Sequence, residues 1–177
     1  MVHRFACTAL VTSLLHPALH AGEKSAAEAS AAVLFFTTID CPIANSYAPE
    51  IARIAVDYGS RGVRFTLVYV DPDLSRAEII AHAKDYGLSE IPVLVDRKHL
   101  LVKRAGATRT PEVALYDAGG KLAYLGRIDN CWAGFGDKRN APTATDLRDA
   151  LDALLAGHPV ANEYREAIGC SIPELEQ

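Results

Sequence analysis

The stretch Ala31–Thr37 is almost wholly apolar, and soon after it comes Cys41-Pro42. Downstream, Tyr47, Ile51, Ile54, Ala55 and Tyr58 recur at helical spacing until Gly59 and Gly62 stop the pattern. A continuous apolar run of this length reads as a central strand buried on both faces rather than as a sheet edge. Pro42 suits the first turn of a helix, where its missing N–H is no loss, and Pro49 inside the pattern marks a kink or a restart. A strand covered on both faces and leading directly into a helix constrains the chain to an α/β arrangement.

The following residues extend that arrangement. Val63 to Val70 reads as a second strand, ended by Asp71-Pro72-Asp73. Ser75 followed by Glu78 has the spacing of a capping box, and Ile79, Ile80, Ala83 and Tyr86 supply the apolar face of the helix it opens. Ile91 to Val95 reads as a short third strand, and Arg97 to Ala105 as a helix running to Gly106. Ala107 to Tyr116 reads as a loop turning into a strand, Asp117-Ala118-Gly119-Gly120 as a hairpin signal, and Lys121 to Gly126 as the return strand. Asn130 to Pro142 is irregular, and Thr143 to Leu155 is amphipathic through Leu147, Leu151, Leu154 and Leu155. Strands alternating with helices and then a hairpin imply one domain, its first strands parallel and its final pair antiparallel.

Four segments result: a leader over 1–21, a linker over 22–30, the α/β domain over 31–157 and a C-terminal tail over 158–177. The leader has a short cationic start, Met1-Val2-His3-Arg4, an apolar stretch from Phe5 to Leu15 and a small-residue cleavage site at Leu19-His20-Ala21. This is the pattern of a secretory signal peptide. The apolar stretch is short of the roughly 20 residues a spanning helix needs. A helical or disordered N-terminal extension is the alternative reading. Removal of the leader takes Cys7 away and leaves Cys41, Cys131 and Cys170, an odd set that permits at most one internal disulfide. An exported chain, periplasmic or secreted, meets conditions in which such a bond persists. The net charge of -4 and pI near 5.8 argue against nucleic-acid or anionic-membrane partners.

Cys41 is the first candidate for chemistry. A helix N-terminus carries partial positive charge and free N–H groups, which favour a thiolate over a thiol. Asp40 opposes this, since a neighbouring carboxylate disfavours the thiolate, unless it caps the helix instead. The common redox dithiol is Cys-x-x-Cys, and here Ala44 takes the second place. The bland alternative is a buried structural cysteine packing as a small hydrophobe.

Three stretches together carry a resemblance: Ile39-Asp40-Cys41-Pro42-Ile43-Ala44-Asn45-Ser46-Tyr47-Ala48-Pro49-Glu50, Gly106-Ala107-Thr108-Arg109-Thr110-Pro111-Glu112, and Gly126-Arg127-Ile128-Asp129. Over Ala31 to Leu155 the chain resembles the thioredoxin-like superfamily, in particular its redoxin (alkyl-hydroperoxide-reductase/thiol-antioxidant) branch and a subgroup of exported bacterial redoxins. The resemblance implies a three-layer α/β fold with a central mixed sheet flanked by helices. It also implies that Pro111 is cis, packs against Cys41, and follows a backbone position, Thr110, that binds extended substrates. Thr110 and Pro111 are therefore the expected substrate-binding residues.

Two family mechanisms bear on the chain. In thioredoxin-like exchange a second cysteine releases the mixed disulfide. With Ala44 in place, that role falls to Cys170 in the tail or to an external thiol, with Cys131 the lesser candidate. In peroxiredoxins a Pro-x-x-x-Thr-x-x-Cys motif works with an arginine. Here Thr38 is present, Leu34 replaces the proline, and Arg109 lies near the arginine's place. Arg109 is expected either to lower the thiol pKa or to be a solvated surface residue, and Glu112 is a candidate proton relay.

The reading is thus a thiol-based oxidoreductase with Cys41, Cys170, Thr38 and Arg109 as catalytic candidates. Its substrate is a protein disulfide or a peroxide and its reductant an external thiol. No cofactor is expected, and no membrane span once the leader is removed. The alternative is a binding module or copper chaperone on the same fold. Copper-delivery relatives use Cys-x-x-x-Cys and a later histidine; Asn45 stands at the second cysteine's place, and neither His82, read as exposed, nor His99 has a partner at ligand spacing. No metal ligand is assigned.

Overall fold

The structure is a computed structural model and describes residues 30–175. The leader, the linker before Ser30 and Cys7 lie outside the described residues.

Strand β1 (Ala31–Thr37) sits near the centre of a six-stranded sheet. The chain then forms α1 (Pro42–Ser46), α2 (Ala48–Gly59), β2 (Val63–Tyr69), α3 (Arg76–Asp85), β3 (Val93–Val95) and α4 (Leu100–Ala105). It continues as β4 (Arg109–Thr110), β5 (Glu112–Asp117), β6 (Leu122–Gly126), β7 (Trp132–Gly134), β8 (Asp137–Lys138), α5 (Asp146–Leu155), β9 (Tyr164–Arg165) and β10 (Cys170–Ser171). The sheet order is β3-β2-β1-β5-β6-β9, with β1, β2 and β3 mutually parallel and β5 antiparallel to both β1 and β6.

Alternation along β1 explains the layering. Val33 and Phe35 face a core shared with Ile51, Ile54, Ile79, Leu147 and Leu151 of α2, α3 and α5. Phe36 on the opposite face packs with Val68, Ala114, Val102 and Ala105, so that α4 covers the second side. Each large side chain buried in this way contributes roughly 1.5–3 kcal/mol relative to exposure. The fold is the three-layer α/β arrangement with a mixed sheet that the resemblance implied.

Some boundaries differ from the sequence reading. Pro49 marks a restart: α1 ends at Ser46 and α2 begins after Tyr47, with Pro49 in its first turn. The capping box at Ser75 forms with both of its hydrogen bonds. Of that helix's apolar set, Ile79 and Ala83 are buried, whereas Ile80 and Tyr86 are exposed. The helix expected from Arg97 begins at Leu100, because His99 adopts a left-handed conformation (φ 50°) and the Asp96 carboxylate accepts the Leu100, Leu101 and Val102 amides.

The largest difference is the C-terminal segment. Read as a tail beyond the domain, it is built into the fold. Strand β9 adds in parallel to the free edge of β6, and β10 pairs antiparallel with β4. The first contact depends on Gly126 (φ 149°), where a Cβ would stand 2.1 Å from the Arg165 carbonyl oxygen.

Candidate active site

Cys41 stands where β1 has ended and α1 begins. As N-cap residue of α1 it accepts a hydrogen bond from the Ala44 amide through its sulfur (3.4 Å). In thiol form it donates to the Thr110 carbonyl at 3.1 Å. The residue is 0% exposed. The Thr110–Pro111 peptide is cis. The Thr110 hydroxyl is buried with no hydrogen-bond partner.

The second thiol at this sulfur is Cys170. Strand β10 sets Cys170 opposite Thr110 and Ser171 opposite Arg109, and the Ile172 amide extends the ladder to the Thr108 carbonyl at 2.9 Å. The Cys170 thiol thereby meets Cys41, and both cysteines are free. Burial pushes the Cys41 thiol up, but hydrogen bonds from Cys170, the Thr110 side chain and the Ala44 and Cys170 amides outweigh it. The net effect holds Cys41 below its ordinary value. Cys170 is pushed up to about 11 by burial, by its hydrogen bond to Cys41 and by the charge there. The two thiols are thus shifted in opposite directions, Cys41 down and Cys170 up.

A pH measurement follows. Cys170→Ala removes the largest contribution that lowers the Cys41 pKa, so the midpoint of Cys41 alkylation against pH is expected to move upward. A midpoint that stays put or moves downward would contradict this account of the pair.

The other candidates are placed differently. Thr38 makes no hydrogen bond to Cys41; it lines an open cleft of about 580 Å³ together with Thr110, Ser171, Asp71 and Arg97. Arg109 turns to Glu166 at 3.6 Å, and no hydrogen bond joins it to Cys41. The reading in which Arg109 lowers the thiol pKa therefore finds no contact. Glu112 is 1% exposed and accepts the amides of Thr108 (2.7 Å) and Arg109 (3.2 Å), which clamps the loop that walls the site instead of relaying a proton at the sulfur. Cys131 is half-buried, with its thiol donating to the Arg139 carbonyl, and Cys170 holds the place beside Cys41.

His82 was read as exposed, yet it is half-buried and linked to the Cys41 junction. The Tyr69 hydroxyl donates to His82 Nδ1 (2.9 Å), His82 Nε2 donates to Asn45 Oδ1 (3.0 Å), and Asn45 Nδ2 donates to the Ile39 carbonyl (2.8 Å). Burial lowers the His82 pKa, against opposing pulls from Asp85 and Asp40. This chain of contacts holds the turn before Cys41 to the helix after it. Sequence spacing offers no signal for it beyond Asn45 itself, because His82 arrives from another helix. His99 is buried with Nε2 donating to the Val70 carbonyl. Among the described residues no group of three His, Cys, Asp or Glu side chains is arranged to hold a metal ion. None of their helices is long and apolar enough to cross a membrane.

Comparison with known proteins gives the family. The sequence model of the Redoxin family matches residues 11–143. Among solved structures, an uncharacterized conserved protein from Geobacillus kaustophilus is 29% identical, with 84% of this chain and 79% of that one covered and a TM-score of 0.72. A hypothetical protein from Sinorhizobium meliloti is also 29% identical, with coverages of 85% and 82% and a TM-score of 0.73. A putative thiol:disulfide interchange protein DsbE from Chlorobium tepidum shares the fold at 18% identity, coverages of 72% and 82% and a TM-score of 0.55. No curated protein matches. The match to the family model spans most of the chain, Cys41 and the Thr110–Pro111 wall included, and on that ground the chain belongs to the redoxin family of the thioredoxin-like superfamily.

Proposed function

We propose that this redoxin is a thiol–disulfide oxidoreductase whose working pair is Cys41 and Cys170. The observation that carries the reading is the placement of Cys170 opposite Thr110, whose carbonyl accepts the Cys41 thiol, with the Cys41 thiol shifted down and the Cys170 thiol shifted up.

The chemistry follows from that asymmetry. The Cys41 thiolate attacks one sulfur of a substrate disulfide; a mixed disulfide forms and the other substrate sulfur leaves as a thiolate, which takes up a proton. Cys41 is then uncharged, and the repulsion that held the proton on Cys170 is gone. Cys170 loses its proton and attacks Cys41 Sγ, expelling the second substrate thiolate and leaving a Cys41–Cys170 disulfide. The substrate has gained two electrons and two protons, and an external dithiol returns the pair to its reduced form. The cysteine that Ala44 lacks is in this way supplied from the far end of the chain.

A peroxide substrate has less support, because neither Thr38 nor Arg109 bonds to Cys41, whereas strand β10 brings a second thiol beside it. Action outside the cytoplasm is part of the reading and rests on the cationic and apolar leader. The direct test is mild oxidation of the folded protein with oxidised glutathione, followed by peptide mapping without reduction. A Cys41–Cys170 linkage is expected. Linkage of Cys41 to Cys131, or a Cys41 that stays free while the protein remains folded, would overturn the pairing.

A further inference from the structure

The segment that delivers Cys170 also fills the approach to Cys41, and it does so under a narrow steric condition. Residues 169–172 run antiparallel along residues 111–108, in the ladder of β10 with β4. At Gly169 a Cβ would stand 2.0 Å from the Thr110 carbonyl oxygen, 2.7 Å from its carbon and 3.1 Å from Pro111 Cδ. Real Cβ atoms do not approach that closely, and the obstructing atoms are backbone. They also have little freedom to retreat. The same Thr110 carbonyl accepts the Cys41 thiol, and Glu112 clamps the two residues before it. The wall therefore takes a strand at this register only when the residue ahead of its cysteine has no side chain.

We propose that the β4 edge is a selective docking site for an extended, cysteine-bearing segment with glycine immediately before the cysteine, and that residues 169–172 are its built-in occupant. A partner protein reaches Cys41 by displacing that strand and taking its register, and Gly–Cys segments are the ones that fit. Gly169 is then the specificity-determining position of the tail, and the Thr110 carbonyl is the feature that reads it. The displaced strand is short, while β9, Ala167 and the Arg165–Asp146 ion pair hold the preceding residues in place. The tail thus stays tethered and returns to deliver Cys170. The cleft lined by Thr38, Thr110 and Ser171 adjoins this edge and gives an entering strand room.

The inference rests on the redox reading for its purpose, but its test involves no redox step. In the full chain, at a pH where Cys41 is fully ionised in both proteins, Gly169→Ala is expected to release the tail and raise the rate of Cys41 alkylation by iodoacetamide, located by mass spectrometry, at least tenfold. A fluorescent peptide Ala-Ile-Gly-Ser-Ser-Ile-Pro, which repeats residues 167–173 with serine for the cysteine, should bind this variant. The same peptide with alanine for glycine should bind at least tenfold more weakly. Because Gly169→Ala could impair folding, Ile172→Ser is measured as well; it loosens the strand from its far end without touching the wall, and the same order of the two peptides is expected. Unchanged Cys41 alkylation in both variants, or equal binding of the two peptides, overturns the proposal. So does occupation of the edge by the tail of a second copy, seen as a dimer that excludes the peptide. Glycine-selective binding in a protein that forms no Cys41–Cys170 linkage would sink the redox reading alone. Linkage without selectivity would sink this inference alone.

Discussion

Cys41→Ser is expected to lower disulfide-reductase turnover on the order of 10³-fold or more, the scale on which removal of a nucleophile acts. Cys170→Ser should fail differently. Its first step survives, because the Cys41 thiolate is still there to attack and the serine hydroxyl still donates to it. The second step has no thiol, so the protein accumulates as a mixed disulfide with its substrate, visible as a shifted band without reductant that disappears with it. Burst kinetics separate the two: one equivalent of substrate thiol is released by Cys170→Ser and none by Cys41→Ser. Multiple turnover by Cys170→Ser at the wild-type rate would show that an external thiol resolves Cys41 and that the tail cysteine is dispensable.

Glu112→Ala should be among the most destabilising single changes at this site. The carboxylate is buried and holds two backbone amides, at Thr108 and Arg109. Truncation strands both donors away from water, at a cost of about 3 kcal/mol, or a drop in Tm of about 10 °C for a domain of this size. Glu112→Gln keeps an acceptor at the same reach and should lose less than half as much. Thermal unfolding followed by circular dichroism distinguishes the two. Equal losses would mean that shape rather than the accepted amides is what Glu112 contributes. Both variants should also slow Cys41 chemistry, since the clamped loop ends at Thr110, whose carbonyl and hydroxyl face the sulfur.

What could be read in advance follows the range of the interactions. Strand β1 has the bounds that its apolar run implied, and the Ser75–Glu78 box forms, because both depend on neighbours a few residues away. The separation of α1 from α2 was legible in Pro49 for the same reason. Strands β9 and β10 were not. Each is two residues long, too short to carry a period, and each is fixed by a distant glycine contact, at Gly126 and at Gly169. His82 was misplaced for a similar cause: its helix gives no sign that Tyr69 and Asn45 will draw the ring inward. Arg109 had a suggestive position in the sequence, but strand alternation aims it away from Thr110's side and toward Glu166.

The separation of the two cysteines along the chain has a thermodynamic consequence. A Cys-x-x-Cys pair closes a ring of a few residues and barely restrains the unfolded chain. A bond between Cys41 and Cys170 closes one of roughly 130 residues, and in the chain-entropy account such a ring stabilises the fold by about 5 kcal/mol. By linkage, whatever the bond gives the folded state it must receive back: the native structure favours the oxidised pair over the reduced one by the same amount relative to the unfolded chain. With Cys41 and Cys170 as the working pair, redox state and global stability become one coupled equilibrium, joined through a strand that the first half of the sequence never touches until the chain has folded.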